Sequence, residues 1–223
     1  MDQPELNRRA AEIGSRLAQI RGQVADAGGD PDRTGIVAVT KGRDQLTATA
    51  AVAAGLCDLG ENYAQELLEK APGPAAVRWH FIGNLQSNKV RRLARYVELW
   101  QSVDRPRLLR EIARHSPGAR ILVQVAARAV PGRGGCDPAM ARRLVVEARD
   151  LGLHPAGLMS MALPGPADAV RRQFRQVRSL ADELELPVRS MGTSGDFTLA
   201  VAEGANLLRL GRVLLGDPSA VSE

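Results

Sequence analysis

Short apolar runs recur along the chain and alternate with longer stretches in which apolar residues follow a helical period. The runs are rich in valine, leucine and isoleucine and too short for helices, which predicts buried strands. Eight strands are predicted at Ile36–Thr40, Cys57–Gly60, Val77–Ile82, Leu99–Val103, Arg120–Ala126, His154–Met159, Val188–Met191 and Asn206–Arg209.

The stretches between these runs predict helices, and one more amphipathic helix precedes the first strand. That first helix extends from Pro4 to about Ala27 and ends at the glycines and proline that follow. The other helices are predicted at Gln45–Ala54, Asn62–Lys70, Gln86–Arg95, Asp104 or Arg105 to His115, Pro138–Leu151, Asp168–Leu184 and Phe197–Glu203, with Val213–Leu215 beginning the tail.

The strict alternation of strands and helices predicts an α/β fold with a parallel sheet. Eight such units in a chain of 223 residues indicate a single closed (β/α)8 TIM barrel, with an extra N-terminal helix. An open doubly wound sheet is the alternative. It would favour a Gly-x-Gly-x-x-Gly turn after the first strand, where this chain has Thr40-Lys41-Gly42. We therefore expect one domain over residues 1–223, with the N-terminal helix in 1–30 and the barrel in 36–216.

The composition is that of an ordinary globular protein, with 44% hydrophobic and 25% charged residues. The net charge of +5 comes mostly from scattered arginines and aromatic residues make up only 3%, which favours a basic surface over a nucleic-acid-binding tract. Cys57 and Cys136 have no metal-ligand spacing, and the chain has neither a signal-peptide core nor an apolar run of about 18 residues. We expect a cytoplasmic protein with no metal site.

Lys41 directly follows the apolar first strand. An ammonium at the mouth of an apolar strand loses hydration unless a partner or a covalent modification stabilises it. One interpretation is a lysine at the barrel rim that is paired with a carboxylate. The other is a Schiff-base former, whose amine is made nucleophilic by apolar surroundings.

The loops after the seventh and eighth strands carry the features of an anion site. The segment from Ser190 to Asp196 combines glycines, which let backbone amides approach an anion, with hydroxyl donors. Gly211 and Arg212 supply further amides and a cation on the next loop. The alternative is a plain N-cap of the following helix. Phosphate sites in barrels commonly lie in these two loops, so the position favours phosphate.

A phosphate at strands seven and eight and an electrophile at Lys41 together describe pyridoxal phosphate. Its aldehyde condenses with an amine, and its phosphate binds backbone amides. Strand eight lies beside strand one when a barrel closes, so both groups of one ligand can be reached. Arg209, at the end of strand eight, would then face the pyridine nitrogen; its alternative role is a rim salt bridge with a carboxylate such as Glu203.

Seven motifs occur in a fixed order: VAVTK, GENYAQELLEK, WHFIGNLQSNK, SVDR, GLMSM, SMGTSGDF and RLGRVLLG. In them the chain, from about Ile36 to Gly216, closely resembles the YggS/PROSC family of pyridoxal phosphate homeostasis proteins, which is related to the N-terminal barrel of alanine racemase. The resemblance implies pyridoxal 5'-phosphate held as an internal aldimine, a Schiff base, on Lys41. It also implies that the cofactor site contains Asn62, His80, Ser190, Thr193, Ser194, Gly195, Arg209, Gly211 and Arg212.

The chain departs from the family pattern at several positions. Thr40 replaces the usual serine before the lysine and keeps its hydroxyl, whereas Asn84 stands where the third motif often has histidine. Arg212 stands where many members carry threonine. The loop that follows the VQV sequence of the fifth strand is also rewritten.

Two features predict a carrier of the cofactor rather than an enzyme. An arginine at the pyridine nitrogen does not readily supply a proton, so the ring stays a weak electron sink. Racemisation also needs an acid–base group opposite the lysine, which a tyrosine from a separate C-terminal domain and the partner subunit provides in alanine racemase. Here the tyrosines are Tyr63 and Tyr96, and we expect no such domain after the barrel.

The expected function is therefore intracellular pyridoxal phosphate homeostasis with little or no catalysis. A low-activity amino-acid racemase that uses Lys41 and a second base such as His80 is the alternative. The expected partners are the cofactor and pyridoxal-phosphate-dependent apoenzymes, and we expect a monomer that binds neither membrane nor nucleic acid. Nucleic-acid binding driven by the basic charge is a third alternative and would depend steeply on salt.

Overall fold

Eight parallel strands close into a barrel in chain order in the computed structural model, which describes residues 3–73, 76–126 and 134–217. The strands are β1 (Gly35–Val39), β2 (Asp58–Glu61), β3 (Arg78–Phe81), β4 (Val97–Val103), β5 (Arg120–Val125), β6 (His154–Ser160), β7 (Val188–Ser190) and β8 (Leu207–Leu210). Ala38 of β1 pairs with Leu59 of β2 on one side and with Leu210 of β8 on the other, which closes the barrel. The predicted (β/α)8 barrel is confirmed.

Helices in the described ranges surround the barrel. They are α1 (Gln3–Asp26), α2 (Gln45–Ala53), α3 (Ala64–Lys70), α4 (Val90–Leu93), α5 (Pro106–His115), α6 (Pro138–Asp150), α7 (Ala167–Glu183), α8 (Phe197–Ala202) and α9 (Arg212–Leu215). The predicted extra helix is α1, which packs against α2 and α9 and buries Leu6, Ile13, Ile20 and Val24. None of the described helices combines the length and the hydropathy that crossing a bilayer requires.

Most predicted boundaries differ from the structure by one or two residues, and two of the differences have a local explanation. The helix predicted over Gln86–Arg95 is a 3-10 turn at Ser87–Lys89 followed by the single turn of α4. Serine and asparagine favour turns over helix interiors, which explains the irregular start. The fourth strand begins at Val97 rather than Leu99, because Val97 pairs with Trp79 of β3 although the exposed Glu98 interrupts the apolar run. The rewritten loop after the fifth strand falls mostly in residues 127–133, outside the described residues.

Residues that face the barrel interior are identified by hydrogen bonds between side chains of different strands. Arg209 of β8 bonds to Ser190 of β7, whose hydroxyl bonds to Gln101 of β4. Val37 pairs with Arg209 in parallel register and so faces inward too, because paired residues of neighbouring strands point to the same face. A small apolar cluster, separate from the main core, fills the rest of the interior with Leu99, Leu122, Ala156 and Met159.

Candidate functional site

Lys41 lies where β1 turns into the loop before α2. Because Val37 faces inward, the period of two along the strand places Val39 and then Lys41 on the same inward line. The ladder continues past β1, since the N–H of Thr40 donates to the carbonyl oxygen of Gly60 at 3.0 Å. Gly42 then reverses the chain with a φ of +65°, in the left-handed region that favours glycine. The Lys41 side chain is left exposed at the C-terminal end of the barrel.

A buried cluster, which we call the Lys70 cluster, holds this turn from behind. Lys70 Nζ donates to the Thr40 carbonyl oxygen at 2.7 Å, to Glu61 Oε1 at 2.7 Å and to Glu66 Oε2 at 2.9 Å. The Thr40 hydroxyl also donates to Glu61 Oε1, and the N–H of Gly42 donates to Glu66 Oε2. The peptide groups on both sides of Lys41 are therefore fixed by α3 and the end of β2.

The carboxylates of the Lys70 cluster bear on the interpretation of Lys41 as a rim salt bridge. Burial raises the pKa of Glu61, although hydrogen bonds from Lys70 and Thr40 partly offset this effect. Glu61 Oε2 is buried and has no hydrogen-bond partner among the described residues. Glu61 and Glu66 both pair with Lys70, and none of the ion pairs among the described residues includes Lys41. The interpretation of Lys41 as a rim salt bridge is therefore not supported.

Backbone N–H groups in the loops after β7 and β8 are available to a ligand. Those of Ser194, Gly195, Gly211 and Arg212 have no hydrogen-bond partner among the described residues. The two loops touch, because the N–H of Val213 donates to Ser194 Oγ at 3.4 Å. N–H groups gathered in this way form the kind of concavity that binds phosphate.

The start of α8 separates the two interpretations of the serine- and glycine-rich loop. The N–H and the hydroxyl of Thr193 both donate to Asp196 Oδ1, at 2.6 and 3.0 Å. The N–H of Phe197 in turn donates to the Thr193 carbonyl oxygen, and no side chain caps α8. The donors of Thr193 are thus used within the loop, while the N–H groups of Ser194 and Gly195 have no partner among the described residues. Since no described side chain caps α8, the interpretation of this loop as a plain N-cap is not supported.

Gly192 allows this loop to pass close to α8. Its φ is +90°, and a Cβ at this position would lie 2.9 Å from the Cα of Phe197 and 2.8 Å from the Cβ of Ala200. Its carbonyl oxygen accepts from the N–H of Arg209 at 3.1 Å, which continues the pairing of β7 with β8. A residue with a side chain fits neither the backbone conformation nor the space.

Arg209 is buried beneath these loops. Its Nη1 donates to the carbonyl oxygen and to Oγ of Ser190, and its Nη2 donates to the Ser160 carbonyl oxygen, each at 2.7 Å. Burial lowers the pKa of Arg209 to about 10, and the nearby charge of Asp196 opposes this shift. The suggested rim salt bridge with Glu203 is wrong, because Glu203 pairs with arginines of α7 instead. Three of the five guanidinium N–H groups are used, so donors remain for a ligand.

The end of β1 is tied to the segment that follows α9. Arg43 Nη1 donates to the Leu215 carbonyl oxygen at 3.2 Å, and Nη2 donates to that of Gly216. Burial lowers the pKa of the Arg43 guanidinium. The Lys41 turn and the loop after β8 are therefore held side by side.

Among the described residues, no group of His, Cys, Asp and Glu side chains is arranged to hold a metal ion.

Comparison with known proteins identifies the family. Residues 17–219 match the family described as "Alanine racemase, N-terminal domain". The chain is also 35% identical over 217 residues to the "Pyridoxal phosphate homeostasis protein" of Pseudomonas aeruginosa, covering 93% of this chain and 94% of that protein. The chain belongs to the pyridoxal phosphate homeostasis proteins with an alanine racemase N-terminal domain. The resemblance seen in its motifs is confirmed.

Two solved structures of the protein PipY have the same fold as this chain. The structure of PipY from Synechococcus elongatus without PLP superposes with a TM-score of 0.83 at 33% identity, covering 92% of this chain and all of that one. The structure of PipY with PLP bound gives a TM-score of 0.80 at 32% identity, with the same coverage.

Two further residues that the family resemblance assigned to the site lie in different surroundings. Asn62 follows β2 and is half-buried, and a Cβ at Gly83 would lie 2.0 Å from its carbonyl oxygen, so the loops after β2 and β3 pack backbone against backbone. Asn62 also lines a cleft of about 390 Å³ with Tyr63 and Lys89. Asn62 thus stays close to the C-terminal end of the barrel.

His80 is not among the polar groups at the C-terminal rim, although the family resemblance implied that it belongs to the cofactor site. It is buried inside the barrel, with Nδ1 2.7 Å from Gln101 Nε2 and Nε2 3.2 Å from Asp58 Oδ1. Asp58 is the first residue of β2 and lines the opening at the N-terminal end. The His80 ring therefore approaches the N-terminal end of the barrel, which no local sequence pattern indicates.

The Lys70 cluster and the inward-facing Gln101 were not predicted from the sequence. One signal in the sequence was the number of lysines: the chain has three, Lys41, Lys70 and Lys89, among 30 basic residues. Almost all basic residues of the chain are arginines, yet Lys41 follows β1 and Lys70 lies directly behind it. The scarcity of lysine therefore singles out both positions.

Proposed function

We propose that this chain binds pyridoxal 5'-phosphate at the C-terminal end of its barrel. The observation that carries the proposal is the convergence of Lys41, which has no carboxylate partner among the described residues, with four unpaired N–H groups on the loops after β7 and β8. These three strands are neighbours in the closed barrel. The pyridoxal phosphate bound to the similar PipY supports the same ligand here.

The donor set fits the groups of this cofactor. The N–H groups of Ser194, Gly195, Gly211 and Arg212 would hold the phosphate, and the Ser194 hydroxyl adds a donor. The remaining donors of Arg209 suit the pyridine nitrogen, which accepts a hydrogen bond. When bound, the cofactor supplies an aldehyde that reacts with amines.

Other residues of the predicted site would support these contacts. Ser190 orients Arg209, because it accepts from Nη1 with both its carbonyl oxygen and its hydroxyl. Thr193 shapes the phosphate loop through its bonds to Asp196. Asn62 would line the pocket beside the loop after β2. The Lys70 cluster would fix the backbone from which Lys41 extends.

The geometry favours a carrier over a racemase. Racemisation needs a second acid–base group close to the reacting carbon and opposite the lysine. His80 already contacts Gln101 and Asp58 through its two ring nitrogens, and the Tyr63 side chain is 62% exposed. Lys41 itself is exposed, so a cofactor held there would be open to exchange with other proteins.

We extend the proposal to a role in pyridoxal phosphate homeostasis, the function that its curated relatives are named for. In this role a monomer in the cytoplasm would hold the cofactor and release it to pyridoxal-phosphate-dependent apoenzymes, with little or no catalysis. The two cysteines, both free in the structure, suit a reducing compartment.

Equilibrium dialysis against pyridoxal phosphate and against pyridoxal tests the ligand. We expect saturable 1:1 binding of pyridoxal phosphate, competition by inorganic phosphate, and much weaker binding of pyridoxal. Equal binding of the two compounds would rule out the phosphate site. Incubating the loaded protein with L- and D-alanine in deuterated water then separates carrier from racemase. Deuterium entering Cα at enzymatic rates would contradict the carrier role.

A further inference from the structure

A continuous line of hydrogen bonds crosses the barrel interior from Arg209 to the opposite opening. Arg209 Nη1 donates to Ser190 Oγ at 2.7 Å, and Ser190 Oγ donates to Gln101 Oε1 at 2.7 Å. Gln101 Nε2 lies 2.7 Å from His80 Nδ1, and His80 Nε2 lies 3.2 Å from Asp58 Oδ1. We call these five side chains the interior relay. It joins β8, β7, β4, β3 and β2 in turn.

The two ends of the interior relay carry opposite charges. The hydrogen-bond acceptors of Arg209 in the described residues are neutral oxygens of Ser190 and Ser160, so no carboxylate directly neutralises this buried cation there. At the other end, burial raises the pKa of Asp58, but hydrogen bonds from His80 and Arg78 outweigh this effect, and the pKa lies well below its usual range. Asp58 is therefore an anion at neutral pH.

The Asp58 carboxylate determines which way every bond of the relay runs. An ionised carboxylate can only accept, so Nε2 of His80 carries a proton. In the neutral imidazole Nδ1 is then an acceptor and needs the NH2 group of Gln101 as its donor. The amide oxygen of Gln101 consequently faces Ser190, whose hydroxyl donates to it. The lone pairs of that hydroxyl are left for Arg209.

All the dipoles of the relay consequently point the same way. The negative end of the hydroxyl, of the amide and of the imidazole is directed towards Arg209, and the positive end towards Asp58. Hydrogen bonds aligned in a chain polarise one another and strengthen in a medium of low dielectric constant. The surrounding interior is apolar, with Leu99, Leu122 and Met159 buried in it. The aligned dipoles thus stabilise the charge of Arg209, while the Asp58 carboxylate itself pairs with Arg78 at 2.7 Å.

We propose that Gln101 and His80 are positioning residues, which orient Ser190 and Arg209 for the pyridine nitrogen of the cofactor without touching it. This inference rests on the proposed function for the identity of the ligand. It assigns to His80 a role different from the place in the cofactor site that the family resemblance implied. It also assigns Asp58, at the far end of the barrel, to the same function.

The proton arrangement can be tested without any cofactor. The chain has three histidines, so His80 is assigned in a ¹H–¹⁵N long-range correlation spectrum by the peak that His80→Gln removes. We expect the proton on Nε2 and an unprotonated Nδ1 that accepts from Gln101. A proton on Nδ1 would overturn the inference, because Gln101 would then have to reverse and the Ser190 hydroxyl would lose its acceptor.

The effect on the ligand is tested by cutting the relay away from the cofactor. Gln101→Met keeps a similar volume and removes both hydrogen bonds, while Leu122→Met alters the interior on a neighbouring strand without touching the relay. We expect Gln101→Met to weaken pyridoxal phosphate binding on the order of tenfold, the loss typical of a residue that orients a ligand contact through another residue. Leu122→Met should bind within about twofold of the unchanged protein.

Two outcomes would overturn the positioning role: unchanged binding by Gln101→Met, or equal weakening by both variants. If Gln101→Met does not fold, Gln101→Glu replaces it, because glutamate keeps the acceptor for Ser190 but cannot donate to His80 in its ionised form. It should also weaken binding, and unchanged binding would again overturn the inference. Failure of the unsubstituted protein to bind pyridoxal phosphate would instead refute the proposed function, and the tautomer result would still decide the relay.

Discussion

Lys70 Nζ donates a hydrogen bond of 2.7 Å to the carbonyl oxygen of Thr40, the residue directly before Lys41. One lysine thereby holds the backbone from which another extends. Lys70 is buried and paired with Glu61 and Glu66, whereas Lys41 is exposed and has no carboxylate partner among the described residues. The surroundings of the two lysines account for their different roles, one structural and one available for chemistry.

Replacing Lys70 should destabilise the fold and loosen the Lys41 turn. Lys70→Met leaves the Glu61 carboxylate buried without its cation, and losing one partner of a buried ion pair typically costs about 3–5 kcal/mol. Urea unfolding of the cofactor-free protein measures this loss. Lys89→Met is the control, because Lys89 is half-buried and lies outside the Lys70 cluster. Equal unfolding free energies for the two variants would show that the cluster does not stabilise the turn.

The glycines of the loop after β7 should differ sharply in their tolerance of a side chain. Gly192→Ala should destabilise the protein by about 1–3 kcal/mol, because its φ of +90° is strained for alanine and its Cβ would contact Phe197. Gly195→Ala in the same loop should be nearly neutral, since a Cβ there meets nothing within 4 Å. Thermal unfolding of the two variants compares them directly. A Gly192→Ala variant as stable as Gly195→Ala would contradict the described loop conformation.

Asp58 should make the fold sensitive to acid. Its pKa is lower in the folded protein than the ordinary value of about 3.9 expected on unfolding, so between the two values the unfolded chain binds the extra proton. Stability from Asp58 is therefore present above about pH 4 and is lost as the pH falls through the folded pKa. When the pH falls from about 5 to about 2, the unfolding free energy of Asp58→Asn should therefore decrease less than that of the unsubstituted protein.

Urea titrations at a series of pH values measure that difference in slope. Asp168→Asn serves as the control, because Asp168 is exposed at the start of α7, away from the barrel interior. Parallel pH profiles for the Asp58 variant and the unsubstituted protein would mean that Asp58 is not held as an anion by its neighbours.

The sequence predicts the barrel and several of the polar groups that the structure brings to its C-terminal end, because both depend on local patterns. The apolar run before Lys41 and the glycines around Thr193 are features of consecutive residues, and barrel topology then places them at one end. The direction of the His80 ring depends on contacts with Asp58 and Gln101, which lie 22 and 21 residues away in the chain. Such contacts follow from the stagger of the strands, which no local pattern records.

Borohydride reduction of the loaded protein tests the proposal that Lys41 carries pyridoxal phosphate. Reduction fixes the cofactor to the amine that holds it, and peptide mass spectrometry then locates the added mass. The chain offers three lysine side chains and its α-amino group, so the result is easily interpreted. We expect the label on Lys41 alone, and its loss in Lys41→Ala while inorganic phosphate still binds. A label on Lys70 or Lys89, or an undiminished label in Lys41→Ala, would contradict the account.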